Sequence, residues 1–362
     1  MNIIVNQKNL SQALRAVEKI FSKNITLPIL NSILFRTDNG RLRLSATNLE
    51  MGINYWVNAK INQEGEFAVP ARIFSDFVAN VFDEKLSISS AKNVVLINSE
   101  GYKSQILGID SKDFPIIPKS QDLVKIVANG AAIRNALLSV IESASLSESR
   151  PEISGILVNI SSEKIEFAAT DSFRLAEKRV NQKNEFVKKM ILPRMSALEI
   201  IRLAEYSEQD LEISLSDNQV FVKGDDFEFI SLLIDGHYPE YKKIIPEKHI
   251  ALVRVDRDML ERNVRMASVF SSAIADIKLI VGNDLISILA KNSDRGEVVA
   301  KVVCKNDNQP FEIALNYNYL LDGLKSISSE RVNIFYTGEG SPLVLKGEED
   351  NDLTYVIMPL RN

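Results

Sequence analysis

The chain has 362 residues, 45% of them hydrophobic, and a formal net charge of −5. That length allows two or three domains, and the acidic balance argues against a protein that coats itself in nucleic acid, although a local basic face depends only on where the charges sit. The longest apolar runs are strand-sized, the first residues lack a basic region followed by a long apolar core, and Cys304 is the only cysteine, so the expectation is no membrane span, no secretory signal, no internal disulfide and a cytoplasmic location.

In chain order, Ile3 to Val5 read as a short strand. Residues 9–20 read as an amphipathic helix with Leu10, Ala13, Leu14, Val17 and Ile20 at helical spacing. The strand-then-helix pattern returns at 124–127 with Ile133, Leu137, Val140 and Ala144. It returns again at 252–255 with Leu260, Val264 and Ala267. Leu10, Ile133 and Leu260 are equivalent, at steps of 123 and 127. Ala46-Thr47-Asn48, Ala169-Thr170-Asp171 and Ala290-Lys291-Asn292 repeat at steps of 123 and 121.

A strand feeding a second helix also occurs three times. Residues 66–70 lead to Phe74, Phe77, Val78 and Val81; 189–193 lead to Leu198, Ile201 and Ala204; 311–315 lead to Leu320, Leu321 and Leu324. Pro70 and Pro193 suit a helix start because their missing N–H would be unpaired there, and Asn316 can cap the third helix. Each copy closes with three strands: 86–88, 94–97 and 104–107; 211–215, 220–222 and 227–230; 332–335, 343–345 and 354–358. Copies one and two leave through similar proline-bearing linkers, Asp113-Phe-Pro-Ile-Ile-Pro118 and His237-Tyr-Pro-Glu-Tyr-Lys-Lys-Ile-Ile-Pro246. The expectation is an α+β chain of three tandem copies, 1–120, 121–248 and 249–362, each with about eight strands and two helices.

Few residues suggest catalysis. His237 and His249 lie in one proline-flanked stretch, and two histidines with one cysteine cannot form a standard structural zinc site, so no metal and no cofactor are expected. Gly338-Glu-Gly340 and Gly224-Asp-Asp226 read as hairpin turns, and the acidic run 347–352 reads as a solvated hairpin tip. Asp171, after a strand, reads as a turn residue bonding its own backbone. The helices carry Arg15, Lys19, Arg72, Arg134, Arg194, Arg202, Arg257, Arg262, Arg265 and Lys325, diluted by Glu18, Asp76, Glu142 and Asp258. If all six helices face one way, they form a mildly basic stripe suited to phosphates and not to bases.

Several stretches resemble one family. They are Thr26-Leu-Pro-Ile-Leu30, Thr47-Asn-Leu-Glu-Met51, Val69-Pro-Ala-Arg72, Asp113-Phe-Pro115, Ala169-Thr-Asp-Ser-Phe-Arg-Leu-Ala176, Leu233-Ile-Asp-Gly-His-Tyr-Pro-Glu-Tyr241, Asn316-Tyr-Asn-Tyr-Leu-Leu-Asp322 and Tyr355-Val-Ile-Met-Pro-Leu-Arg361. With these, the chain resembles the bacterial sliding clamps, the beta subunits of DNA polymerase III, from end to end. The resemblance implies three DNA-clamp domains per chain and a ring closed by a head-to-tail homodimer. Duplex DNA passes through the hole without sequence reading, and the role is non-catalytic: a processivity factor. It also implies partners: the replicative polymerase, an ATP-driven clamp loader, and other polymerases and repair proteins carrying clamp-binding peptides.

For those peptides the resemblance implies a pocket walled by Ile153, Thr170, Arg174, Leu175, Pro239, Ile244, Asn316, Tyr319, Val356, Met358, Pro359, Leu360 and Arg361. It implies DNA contacts at Lys23, Arg72, Arg150 and Arg194, and a dimer contact at Ile106, Leu107, Val269 and Phe270. The chain departs from relatives at Ser172-Phe173, where the enterobacterial clamp has glycine-histidine, and at Lys242-Lys243, where arginines are frequent. At Asn24 it lacks an arginine often found there, for which Lys23 stands in. The competing readings are a triplicated enzyme with a site between copies, disfavoured by the scarcity of histidine and phosphate loops, and a repeat-built scaffold.

Overall fold

The structure, a computed structural model, describes residues 1–20, 27–91, 93–119, 124–147, 149–207 and 209–360. The helices are α1 (Gln7–Val17), α2 (Ala71–Ala79), α3 (Gly130–Val140), the single-turn α4 (Pro151–Ser154), α5 (Arg194–Leu203), α6 (Arg257–Ser268) and α7 (Tyr317–Ser326). Among the described residues, nine strands lie before residue 120 and eight in each of the next two stretches, so the order strand, helix, strands, helix, strands occurs three times.

Local chemistry sets the helix starts. Asn6 caps α1, its side-chain oxygen accepting from the N–H groups of Lys8 at 3.0 Å and Asn9 at 3.3 Å. Asp256 caps α6 through Met259 N–H at 2.8 Å, and Asn316 caps α7 through Asn318 N–H at 2.9 Å. Pro70 and Pro193 end the preceding strands and sit one residue before their helices. The helix after Pro70 ends at Ala79, so Val81 lies beyond it but is still buried.

Two compact units emerge. The first comprises Met1–Ala131 with Leu198–Leu233. It contains a five-stranded sheet, and an eight-stranded sheet in which Met51–Val57 pairs antiparallel with Phe227–Leu232, Gly52 opposite Ile230. Its core includes Phe35 stacked on Phe67 at 4.8 Å, with Phe74 of α2 at the same distance. The second unit comprises Ala132–Ala197 with Ile234–Asn362. Its twelve-stranded sheet joins the second copy to the third where Arg174–Asn181 pairs with Leu353–Ile357. The division does not follow the period of the repeat, because each seam between copies is a continuous row of strand pairs.

The strand Lys164–Thr170 is buried along both faces, Glu166 and Ala168 included, where simple alternation predicts one wet face. The acidic hairpin tip also differs from a fully solvated one: both Asp350 carboxylate oxygens accept from Lys178 Nζ, at 2.8 and 2.9 Å. The glycine turns are as expected, with Gly338 (φ 127°) and Gly340 (φ 68°) in left-handed conformations between strands Arg331–Tyr336 and Leu343–Gly347.

Candidate functional site

The turn at 170–174 is built by its own side chains. Asp171 Oδ1 accepts from Phe173 N–H at 2.9 Å and Arg174 N–H at 3.0 Å, while Thr170 Oγ1 donates to Arg174 C=O at 2.7 Å and accepts from Ser172 N–H at 3.1 Å. Ser172 takes φ 80°, and Phe173 is exposed in the turn, so the second strand begins at Arg174. The first copy makes the same turn with Thr47, Asn48 and Leu49: Asn48 Oδ1 accepts from Glu50 and Met51, and Leu49 has φ 76°. Where the second copy's turn delivers Arg174, the first copy's delivers Met51.

Arg174 is held on three sides. Its Nε donates to Asp171 at 3.0 Å, Nη1 donates to Asp322 on α7, and the guanidinium carbon lies 4.6 Å from the Tyr319 ring centre. Tyr319 and Asp322 are three apart on α7 and so share a face. Burial works against the Arg174 charge, but Tyr355, Asp322 and Asp171 hold its pKa above the ordinary arginine value.

Beside this clamp lies a buried apolar cluster. Leu175 and Val356 are opposed in register and pack with Leu157, Ala168, Val344 and Tyr241, with Tyr238 partly buried against them. Met358 N–H donates to Phe173 C=O at 2.8 Å and Leu360 N–H to Ala314 C=O at 2.9 Å, so the tail is laced to the turn on one side and to strand Phe311–Asn316 on the other. The linker is pinned from below: Tyr241 O–H donates to Glu177 at 2.6 Å, and Lys242 Nζ donates to Glu166 at 2.8 Å. Burial pushes the Glu166 carboxyl up, but hydrogen bonds from Lys242, Lys164 and Asn159 overcome it and bring the pKa down to about 2.

The residues of the expected wall fall into three groups by burial. Ile153, Thr170, Leu175 and Val356 are buried and support the site from beneath; Arg174, Asn316, Tyr319, Met358, Pro359 and Leu360 are half-buried; Pro239 and Ile244 are exposed. Arg361 lies outside the described residues, as does Lys23. Of the expected DNA contacts, the Arg72 side chain is 95% exposed, Arg150 is exposed and donates to Ser172 Oγ at 2.6 Å, and Arg194 is only 22% exposed and paired with Glu142 at 3.3 Å. The basic stripe is likewise less free than expected, since Arg202 donates to Glu199 and to the carbonyls of Arg15 and Ala16.

For ring closure, Leu107 and Val269 are exposed and Phe270 is half-buried, but Ile106 is buried. Neighbouring strand residues point to opposite faces, and the Ile106 side chain takes the core side while Leu107 takes the other. Sequence reasoning passed over Asp322, which reads as an ordinary helix-surface carboxylate, and the exposed Val299 and Val303 on strand Gly296–Asn306.

Models of the DNA polymerase III beta subunit match in series: its N-terminal domain over residues 1–118, its central domain over 128–240 and its C-terminal domain over 242–361. The chain belongs to the DNA polymerase III beta subunit family. It is 25% identical to the beta sliding clamp of Staphylococcus epidermidis over 356 residues, covering 95% of this chain and 94% of that one. It is similar to the Pseudomonas aeruginosa sliding clamp bound to griselimycin, with 25% identity, TM-score 0.95 and all of both chains covered. It is also similar to the C. crescentus beta sliding clamp, with 26% identity, TM-score 0.92 and the same coverage. The fold is that of three tandem clamp domains of mixed helix and sheet, and beta-subunit membership implies an accessory, non-catalytic role.

Proposed function

We propose that this chain is the sliding clamp and processivity factor of a bacterial replicative polymerase within its holoenzyme, working in the cytoplasm. It closes with a second copy into a ring on duplex DNA and tethers polymerases, an ATP-driven loader and repair proteins through a peptide pocket in the second unit. Its clamp domains are 1–120, 121–248 and 249–362.

The observation that carries the pocket is the pairing of a buried apolar floor, Leu175 and Val356, with the Arg174 clamp at its rim. Apolar walls with a few fixed polar groups suit a short peptide with apolar anchors and one orienting polar group. Met358 and Leu360 frame the mouth. Polar substitution of both is expected to abolish binding of polymerase-derived peptides and leave the dimer intact.

Ring closure is supported by two open strand edges. Among the described residues, Lys103–Leu107 pairs only with Val94–Asn98. Along Gly296–Asn306, pairing on one side reaches only Cys304 to Asn306, leaving the Val299 and Val303 stretch bare. Edges of this kind invite pairing with another chain, and a two-fold dimer closes both. Contacts at Leu107, Val269 and Phe270 belong to this reading. DNA contact through Arg72, Arg150, Arg194 and Lys23 would be to phosphate and sequence-independent, which permits sliding.

The test is topological. After enzymatic loading, the protein stays on nicked circular DNA and is lost when the circle is linearised. Equal retention on both forms overturns the reading.

A further inference from the structure

Two glutamates of the second copy lie where the repeat does not ask for them. Glu166 and Glu177, on strands Lys164–Thr170 and Arg174–Asn181, have side chains only 3% and 1% exposed. By the 123-residue step and the same strand register, the first copy has Arg43 and Asn54 at these places. Burying a carboxylate is costly unless donors meet its oxygens. A buried pair present in one copy and absent from its equivalent is not a requirement of the shared fold.

The donors come from two sources. Some belong to the same sheet: Lys164 lies 2.9 Å from Glu166, Asn159 donates to Glu166 at 2.8 Å, and Arg179 donates to Glu177 through Nε at 2.9 Å and Nη2 at 2.6 Å. The linker supplies the others. Tyr241 O–H donates to the second oxygen of Glu177, and Lys242 Nζ donates to Glu166. These are charge-assisted bonds, the stronger kind.

Tyr241 and Lys242 open a single 3-10 turn, Tyr241–Ile244. It is tightened by Tyr241 N–H on Pro239 C=O at 2.7 Å and Lys243 N–H on Glu240 C=O at 3.1 Å. In so short a turn, fixing two residues also fixes Pro239 and Ile244 on either side. Both are exposed, and both belong to the expected peptide wall. The Tyr241 ring packs in the cluster with Leu175 and Val356, so one residue touches the buried carboxylate and the apolar side of the pocket together. At the first seam the linker 113–118 has no tyrosine and no lysine. There Ile117 lies against Gly52, which is opposite Ile230 as Leu175 is opposite Val356.

We propose that Glu166, Glu177, Tyr241 and Lys242 are positioning residues for peptide binding: the two buried carboxylates clip the linker so that Pro239 and Ile244 stand ready beside the Leu175–Val356 cluster. The inference rests on the peptide-pocket reading. A clipped wall is pre-organised, so a peptide loses none of its binding free energy to ordering it. An unclipped linker samples other positions, and apparent affinity falls with the fraction of time it spends away.

The probe is a fluorescein-labelled peptide copied from the clamp-binding segment of the replicative polymerase, titrated into the full-length protein by anisotropy. Tyr241→Phe combined with Lys242→Met keeps the ring and the side-chain length and removes both bonds. The expected result is at least about tenfold weaker binding, faster amide exchange confined to 238–246 and an unchanged dimer in sedimentation. Lys242→Met alone, at a half-exposed lysine, is expected to weaken binding about threefold, and Lys242→Arg, which keeps a donor on Glu166, to stay within about twofold of wild type. A merely structural role predicts the reverse, a lower melting temperature with affinity held. Full affinity in the double variant, or in Lys242→Met should the double variant fail to fold, overturns the proposal, as does equal loss in Lys242→Arg and Lys242→Met. Polar substitution of Met358 and Leu360 separates the two readings. If that variant still binds, the pocket itself is misplaced and the clip has nothing to serve. If it loses binding while the linker variants keep it, the pocket stands and the clip alone is refuted.

Discussion

The Arg174 guanidinium donates to the Asp322 carboxylate across 148 positions of sequence, joining the turn of the second copy to the second helix of the third. Both side chains are largely buried, at 12% and 22% exposure. Removing one partner leaves the other charge uncompensated, which costs more than the pair is worth. Asp322→Asn is expected to lower unfolding free energy by about 1–3 kcal/mol. It is also expected to weaken peptide binding about tenfold, because Arg174 loses one of the groups that fix its direction. Urea melts and peptide titration measure both effects. Unchanged affinity would mean that Asp171 and Tyr319 suffice to orient it.

Acid should loosen the second unit through Glu166. Its folded pKa, about 2, lies below the ordinary 4.5, so the folded state holds the proton less tightly than the unfolded one. The associated stability is fully present above about pH 4.5 and is lost as pH falls toward about 2, on the order of 3 kcal/mol in all. Glu166→Gln should be less stable at neutral pH and show a flatter stability profile across that window. A wild-type profile equally flat from pH 5 to 2.5 contradicts the assignment.

Gly323 on α7 lies against Tyr355. A Cβ at this position would stand 2.7 Å from the ring's Cδ1 and 3.0 Å from Leu345 Cδ1, and Tyr355 is 1% exposed and has little room to shift. Gly323→Ala should therefore destabilise by about 1–3 kcal/mol, despite alanine's better helix propensity. A stabilised variant in thermal melts would show that the ring can move.

Burial, with Asp284 nearby, pushes the Cys304 thiol up to about 11. At pH 8 the thiol stays protonated and covered, so an aromatic disulfide reagent should not react with the native protein but should titrate one thiol per chain on unfolding. Fast native labelling would place Cys304 in an opening segment.

Leu107 and Ile106 separate surface from core on one strand. Leu107→Asp should shift the protein toward monomer in sedimentation without lowering its melting temperature, whereas Ile106→Asp should unfold the first unit. A Leu107→Asp protein that remains dimeric moves the interface elsewhere.

Much of this was legible in the sequence because it is periodic or local. Helical spacing gave α1, α3 and α6, and Asn316 and Asp171 perform the capping and turn roles that their short polar side chains suit. The Arg174–Asp322 pair was not legible, because nothing local in a helix such as α7 distinguishes a carboxylate facing water from one facing an arginine far away in sequence. The direction of Ile106 was missed for a different reason: an apolar pair at a strand end fits either face until the register is known. The second linker is longer than the first, 237–246 against 113–118, and that was visible as length. How it is held, by Tyr241 on Glu177 and Lys242 on Glu166, was not, because it depends on where those carboxylates lie.

The strand pairs that cross each seam have a consequence for handling the molecule in pieces. A fragment ended at the repeat period would expose Met51–Val57 or Arg174–Asn181 as a raw sheet edge, stripped of Phe227–Leu232 or Leu353–Ile357. Such edges pair with whatever extended chain they meet, their own copies first. The repeat that is obvious in sequence is therefore not a unit that can be excised: one copy on its own would be an aggregation template.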